Sequence, residues 1–506
     1  MLTQLPWPAR RAIRSATIAL LIAVPWLNPV AVGPSPAVLP LIVSWLCVVG
    51  LLLLGAAPGA EGVSRAWLAA ALISSLLGLL QYFNLARFFS PWVDVAPLGV
   101  AFGNLRQRNQ LASLTSIGLL ALLWLVASGR LHGYALWMVL LLAVGNAATA
   151  SRTGLVQLAV IALSVVGWGG AARAQRLRLC LAALAAYAVA AGALPWLLHR
   201  FTGHAGSSVL IRLAEDLGCS SRTLLWSNVL HLIAQQPWLG WGWGELDYAH
   251  YITLYPGERF CDILDNAHNL PLHLAVELGI PAALLGCGGL GWLVLRAKPW
   301  RETDPTRQMA WGVLAVILLH SLVEYPLWYG PFQMALGLCL GLLWHRSAAN
   351  EGSYKPNQGG APTWRAGVAM FLIASCLYAA WDYHRISQIY LPPEARHPAY
   401  REDTLAKVRG SWLFRSQVRF AELTITPLTR DNAEWTYKTA RDLLHYSPEP
   451  RVIEKVIDSA VLLGRDDEAL AHLARYRVAF AKDHARWAEA NARGLDLNST
   501  QPPAAR

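Results

Sequence analysis

The residues best suited to chemistry lie in Asp265-Asn-Ala-His-Asn-Leu-Pro-Leu-His-Leu-Ala-Val-Glu-Leu-Gly-Ile-Pro281, where a polar stretch meets an apolar run. His268 is among the last polar groups before that run, so it reads as an imidazole at a water–lipid boundary. An unperturbed imidazole titrates near about 6.5 and can take a proton from a hydroxyl at neutral pH. A base in that position suits a substrate with one part anchored in a bilayer. The alternative is a histidine that merely neighbours a helix cap.

Four arginines could accompany it. Arg106 and Arg108 lie in Phe102-Gly-Asn-Leu-Arg-Gln-Arg-Asn-Gln110, Arg152 in Ala150-Ser-Arg-Thr-Gly154, and Arg222 in Ser220-Ser-Arg-Thr-Leu-Leu-Trp226. Arginine at a membrane edge is costly and is usually tied to function or to a specific partner. Its planar, permanently charged fork suits phosphate oxygens, and several together would hold a diphosphate. The competing reading is that each arginine snorkels to the surface or pairs with a loop acid. For Arg152 this is weaker, because its short turn holds no acid.

Two further pairs could be chemical. His320 and Glu324 stand one helical turn apart in His320-Ser-Leu-Val-Glu-Tyr-Pro-Leu-Trp-Tyr329, as an internal ion pair between helices or as a catalytic pair. His273 and Glu277 share the same spacing and raise the question of a metal. His268 and His273 are five residues apart, which does not align two ligands on one helix face. The cysteines are too scattered to complete a zinc site. No metal is therefore expected. Gly240-Trp-Gly-Trp-Gly244 follows no strand and is not a dinucleotide loop. It reads as a tight loop with tryptophans at the membrane interface.

The elements that must position these residues are apolar. Of 506 residues, 55% are hydrophobic and 14% charged, against about 25% charged in soluble domains. Apolar runs of membrane-spanning length recur at 14–32, 37–55, 65–83, 110–127, 133–149, 154–170, 179–198, 270–295, 308–323, 328–345 and 364–382. The expected fold class is all-α, a polytopic membrane bundle of about eleven spans with a large external loop and a soluble helical tail. The first run has a basic start and no small-residue cleavage site, and reads as a retained helix.

The net charge of +11 need not mean a nucleic-acid partner. Arg10, Arg11 and Arg14 precede the first run; Arg173, Arg176 and Arg178 follow the sixth; Arg296, Lys298, Arg301 and Arg307 follow the eighth; and Arg346, Lys355 and Arg365 follow the tenth. With alternating spans all of these fall on one side, which basic short loops mark as cytoplasmic. The candidate site and the tail then face outward.

Four regions are expected: a membrane bundle over 1–198, an external loop over 199–268, returning spans over 269–382 and a soluble tail over 383–506. Cys47, Cys180, Cys287, Cys339 and Cys376 fall inside runs as packing residues. Cys219 and Cys261 lie in the external loop, either as two thiols or, in an oxidising compartment, as a disulfide. The disulfide is the expectation. It would close a loop of about 43 residues and contribute roughly 4 kcal/mol in the chain-entropy model. In the tail, helical periodicity predicts helices over 430–446, 450–464 and 466–482, joined through a turn at Gly464 like that of a tetratricopeptide hairpin. Disorder is expected from about Asn498.

Together these pieces resemble the bacterial O-antigen ligase superfamily, most closely its protein O-oligosaccharyltransferase branch. The family signature is His followed by Asn, Ser or Gln, nine residues, then Gly-x-x and Gly, Thr or Tyr. Here His268-Asn269 is followed by nine residues and Gly279-Ile-Pro-Ala282, with Ala282 departing from the pattern at the last position. Ser151-Arg152-Thr153-Gly154 resembles the family's arginine turn, and Arg222 with Trp226 its arginine segment in the large loop. Pro237-Trp-Leu-Gly-Trp-Gly-Trp-Gly244 resembles the Pro-x-x-Gly-x-Gly stretch that follows. Gly103-Asn-Leu-Arg-Gln-Arg-Asn-Gln110, Glu324-Tyr325-Pro326 and the soluble tail look more like the protein-glycosylating branch.

The resemblance implies en bloc transfer of an oligosaccharide from undecaprenyl diphosphate to a Ser or Thr hydroxyl of a pilin or another exported protein. It implies a site on the periplasmic face of a bacterial inner membrane, with no nucleotide, cofactor or metal. His268 would be the base and Arg152, Arg222, Arg106 and Arg108 the diphosphate ligands. Asn269, His320, Glu324 and Tyr325 would support them. The rivals are ligation of O-antigen to lipid A-core, glycan polymerisation, and transport of the same lipid-linked sugar. A transporter should place ionisable groups at the bilayer midplane, whereas here they gather at one face.

Overall fold

A computed structural model describes residues 7–54, 58–131, 133–170, 172–204, 218–344 and 363–499, with Gly206, Ser208, Val209 and Arg212. The side chains of Arg10 and Arg11, with Arg346, Lys355 and the segment after Ser499, lie outside the described residues. The chain is all-helical, with no strand among the described residues. It divides into two compact units, Met1–Glu215 with Trp292–Trp381, and Asp216–Gly291 with Asp382–Arg506.

The first unit contains α1 (Trp7–Leu27), α2 (Val38–Leu53), α3 (Ala60–Tyr82), α4 (Arg108–Ala127), α5 (Ala135–Ala148), α6 (Arg152–Gly167) and α7 (Arg173–Thr202). α4 is apolar on every face, which requires burial on every face. It is buried along nearly its whole length, packed against α3, α5 and α6. The approach of α5 to α3 is close enough that a side chain on Gly145 would overlap Ser75, as small residues allow between membrane helices.

The second unit contains α8 (Arg222–Gln235), α9 (Leu246–Ile252) and α10 (Leu270–Leu278). After α10 the chain runs through α11 (Ile280–Ala283), a π-turn over Leu284–Gly288 and α12 (Gly289–Ala297). It re-enters the first unit within α12, at Trp292, and continues there with α13 (Pro305–Ser321), α14 (Gly330–Trp344) and most of α15 (Thr363–Ser387).

Among the described residues, five helical segments are long and apolar enough to cross a membrane: Ala60–Tyr82, Arg108–Ala127, Arg173–Thr202, Ile280–Arg301 and Trp364–Tyr390. Five more, at 10–17 residues, are apolar but shorter, and the run expected over 308–323 is the largely buried α13. The run expected over 270–295 is not one span. Gly279 ends α10 at φ 87°, ψ 162°, a backbone region open essentially only to glycine. The apolar crossing therefore starts at Ile280, and α10 belongs with the loop that precedes it.

The tail forms α16 (Thr404–Val408), α17 (Arg415–Ile425), α18 (Ala433–Leu443), α19 (Pro450–Leu462), α20 (Asp466–Ala479) and α21 (Ala481–Ser499). α18 to α20 fall where the periodicity predicts them, and Gly464 turns at φ 69° between α19 and α20. Val452, Ile453, Val456 and Ile457 of α19 meet Tyr437, Ala440 and Leu443 of α18 in one core, which also takes in Tyr251 of α9.

Candidate active site

Three of the candidate arginines share a position that the sequence did not advertise. Arg108, Arg152 and Arg222 are each the first residue of a helix, α4, α6 and α8. Each follows a residue whose side chain caps that helix. Gln107 accepts from the Gln110 N–H at 2.7 Å, Ser151 from Gly154 at 3.1 Å and Ser221 from Leu224 at 3.3 Å. A cation at the positive end of a helix costs about 0.3–1 kcal/mol. The same arrangement sets a guanidinium at the positive end of a helix, and the two together attract phosphate.

In the first unit, Arg152 is exposed and has no hydrogen-bond or ion-pair partner among the described residues. The capping Ser151 donates to Asn109 Oδ1 at 2.6 Å, and Asn109 donates to Glu324 Oε1 at 3.3 Å. Three segments distant in sequence thus converge beside the Arg152 turn. Behind them, Ser113 Oγ lies 3.0 Å from His320 Nδ1 and accepts from Gln157 Nε2 at 2.8 Å. His320 and Glu324 therefore each have a partner on α4. Asn109, Ser151, Ser113 and Gln157 were missed as site residues; the available signal was their polarity within or beside apolar helices. Tyr325 stacks on Tyr329, with ring centroids 6.0 Å apart.

Arg106 stands apart. It adopts φ 62°, and its guanidinium lies 2.8 Å from Asp94 and 2.5 Å from the Pro29 carbonyl. Burial raises the Asp94 pKa, against the pull of Arg106. The charge of Arg106 is thus matched inside the first unit, where it clamps the segment before α4.

In the second unit, Cys219 and Cys261 form a disulfide, with Cα atoms 5.4 Å apart. One turn beyond Arg222, Trp226 donates its indole N–H to the Ala267 carbonyl at 3.1 Å. The next residue is His268, half-buried, at φ 50°. Its N–H donates to Asn266 Oδ1 at 2.9 Å, and Asn269 caps α10 by accepting from Leu272 N–H at 3.1 Å.

The glycine-rich loop wraps the end of that helix. Trp241 N–H donates to the Val276 carbonyl (2.9 Å), Gly242 N–H to Glu277 (3.0 Å), and Ile280 N–H to Pro237 (2.8 Å). The first two of these bonds satisfy carbonyls that the C-terminus of α10 would otherwise leave open. A side chain on Gly240 would overlap the Glu277 backbone, and one on Gly279 the Trp238 carbonyl. The two glycine motifs are therefore one packed unit. Trp241 is not free at an interface, since its indole donates to Leu232 at 3.0 Å, whereas Trp238 is 76% and Trp243 61% exposed.

Three family models match the chain: protein glycosylation ligase over residues 101–126, O-antigen ligase over 137–287, and the C-terminal part of virulence factor membrane-bound polymerase over 308–494. A general O-oligosaccharyltransferase of Acinetobacter baylyi is 27% identical over 289 residues, covering 54% of this chain and 49% of that protein. A ComP-specific O-oligosaccharyltransferase of the same organism is 24% identical over 135 residues, covering 27% of this chain and 24% of that protein. The chain thus spans about half the length of the first of these relatives and about a quarter of the second. The resemblance read from the motifs holds at the level of the O-antigen ligase superfamily. Within it, the chain is similar to the protein O-oligosaccharyltransferase branch.

Proposed function

We propose that this protein transfers an oligosaccharide en bloc from a polyprenyl diphosphate, undecaprenyl diphosphate in a bacterial inner membrane, to a Ser or Thr hydroxyl of an exported, pilin-like protein. The observation that carries this reading is the construction around His268. The His268 backbone is held at φ 50° between Asn266 and the α10 cap, and the preceding carbonyl is pinned by the helix that begins with Arg222. His268 takes the acceptor's hydroxyl proton as the oxygen attacks the anomeric carbon. The bond from that carbon to the phosphate oxygen breaks with inversion, and the diphosphate leaves with the electron pair. Arg152, Arg222 and Arg108, each at a helix start, offset the charge that develops on the leaving group. A sugar–diphosphate bond is already activated, so these groups suffice without a metal or cofactor. Asn269 at the α10 cap, His320 on α13, and Glu324 and Tyr325 in the turn that follows α13 support the set. The site and the tail face the periplasm.

The match of residues 308–494 to a polymerase family favours one second reading, in which the acceptor hydroxyl belongs to a growing glycan. The deciding experiment supplies detergent-purified protein with the lipid-linked glycan and, separately, a pilin, a lipid A-core acceptor or a glycan acceptor. Intact mass of each acceptor is then measured. A mass gain on the pilin, lost in His268→Ala, is the expected result. Gain on another acceptor alone would overturn the acceptor assignment, and wild-type-like transfer by His268→Ala would overturn the mechanism. Arg152→Ala and Arg222→Ala should raise the donor concentration needed for half-maximal rate; an unchanged donor dependence would remove them from the diphosphate site.

A further inference from the structure

α10 carries a second histidine that the proposed transfer does not use. His273 and Glu277, four residues apart and so on one helix face, are 3% and 1% exposed. His273 Nε2 lies 3.5 Å from Glu277 Oε2. The same nitrogen lies 3.5 Å from Nδ2 of buried Asn266, whose Oδ1 accepts the His268 N–H. Asn266 therefore has one end of its amide on His268 and the other on the buried pair. Glu277 extends the chain of contacts. Its carboxyl faces the backbone N–H groups of Gly244 and Leu246, and its carbonyl accepts from Gly242. The edge of the Trp243 ring closes over His273, with centroids 6.0 Å apart.

A histidine at positive φ is uncommon and persists only where its surroundings over-determine it. A buried acid and a buried imidazole are likewise costly unless they satisfy one another. We propose that Asn266, His273 and Glu277 are the positioning device for His268, holding its backbone in the left-handed conformation and tying it to the glycine-rich loop. This inference rests on the reading of His268 as the base. Glu277 is the junction: it touches the histidine side of the device through His273 and the loop side through Gly242, Gly244 and Leu246. A loop displaced by substrate would move Glu277 and, through Asn266, the imidazole of His268. A metal role for His273 and Glu277 is not needed to explain their burial.

The test measures two things on the full chain with Asn266→Ala, Glu277→Ala and Glu277→Gln. The first is the rate at which diethyl pyrocarbonate modifies His268, read by peptide mass spectrometry. The second is kcat and KM for glycan transfer. In both alanine variants His268 modification should accelerate several-fold, while kcat falls about 10- to 100-fold with KM for the donor nearly unchanged. Glu277→Gln keeps the shape and should restore both values to near wild type. Unchanged His268 reactivity and kcat in the alanine variants would overturn the proposal. So would a Gln variant as impaired as the alanine one, or alanine variants that have lost the Cys219–Cys261 bridge and simply unfolded. Wild-type protein without transfer activity would sink the functional reading instead, and the modification rates would still decide the positioning role.

Discussion

Trp226 donates its indole N–H to the carbonyl of Ala267, 3.1 Å away, and so fixes the peptide unit that leads into His268. The helix that starts with Arg222 and the segment bearing the proposed base are joined by that bond. Trp226→Phe keeps the ring packing and leaves the carbonyl of buried Ala267 without its donor, a loss of about 1–3 kcal/mol. Transfer by this variant should fall about tenfold, since each ~1.4 kcal/mol of positioning is a factor of ten. Initial rates with saturating donor check it.

Gly279 is held at φ 87°, ψ 162° against the Trp238 carbonyl. Gly279→Ala forces both a forbidden backbone region and an overlap, and should destabilise the second unit by at least about 2 kcal/mol. Ala282→Gly, at the position where the chain departs from the family signature, should leave transfer close to wild type. Thermal unfolding and activity of the two variants separate a required glycine from a tolerated one.

Asn109 links the Ser151 cap to Glu324. Asn109→Ala removes both hydrogen bonds and should loosen the turn that presents Arg152, raising the donor KM about 3- to 30-fold while leaving the second unit's melting unchanged. Equal donor KM values in wild type and variant would show that the network only packs helices.

Cys219 and Cys261 are bridged across a separation of 42 residues. Cys47, Cys180, Cys339 and Cys376 are buried and Cys287 is half-buried. Denatured, unreduced protein should therefore react at five cysteines with maleimide, and reduced protein at seven. Cys219→Ser with Cys261→Ser should lower the stability of the loop by roughly 2–4 kcal/mol, read as faster proteolysis between residues 219 and 261.

The buried pair gives stability an opposed pH dependence. Burial pushes Glu277 up to about 7 from 4.5, so between those values the folded state holds the extra proton and stability falls as pH rises. Burial, and then the charge of His268, pushes His273 down to about 4 from 6.5, so there the unfolded state holds the extra proton and stability rises with pH. The two trends oppose each other from about pH 4.5 to 6.5. Glu277→Gln should therefore make the melting temperature climb more steeply with pH than wild type in that window, and His273→Gln should make it fall. Parallel curves for all three proteins would show that the pair does not titrate with folding.

Much of this molecule follows from local pattern. Apolar periodicity and length place the helices of the membrane runs and the α18–α20 hairpins, because burial of one face or of all faces is written in residue spacing. The His268–Gly279 spacing and the loop position of Cys219 and Cys261 are equally readable in one dimension. Partner choice is not. The 270–295 run reads as one apolar stretch carrying only His273 and Glu277 as acidic or basic side chains, and a glycine locked at positive φ against Trp238 divides it into α10 and a membrane crossing. Whether an arginine is available depends on what folds beside it: Arg106 is matched by Asp94, while Arg152 is not matched among the described residues. Asn109 reaches Glu324 across 215 positions, and Trp226 reaches Ala267 across 41. A hydrogen bond is decided within about half an ångström and a few tens of degrees. Such geometry exists only once helices have packed, so the chain's chemistry was legible as residue types and its site only as a tertiary arrangement.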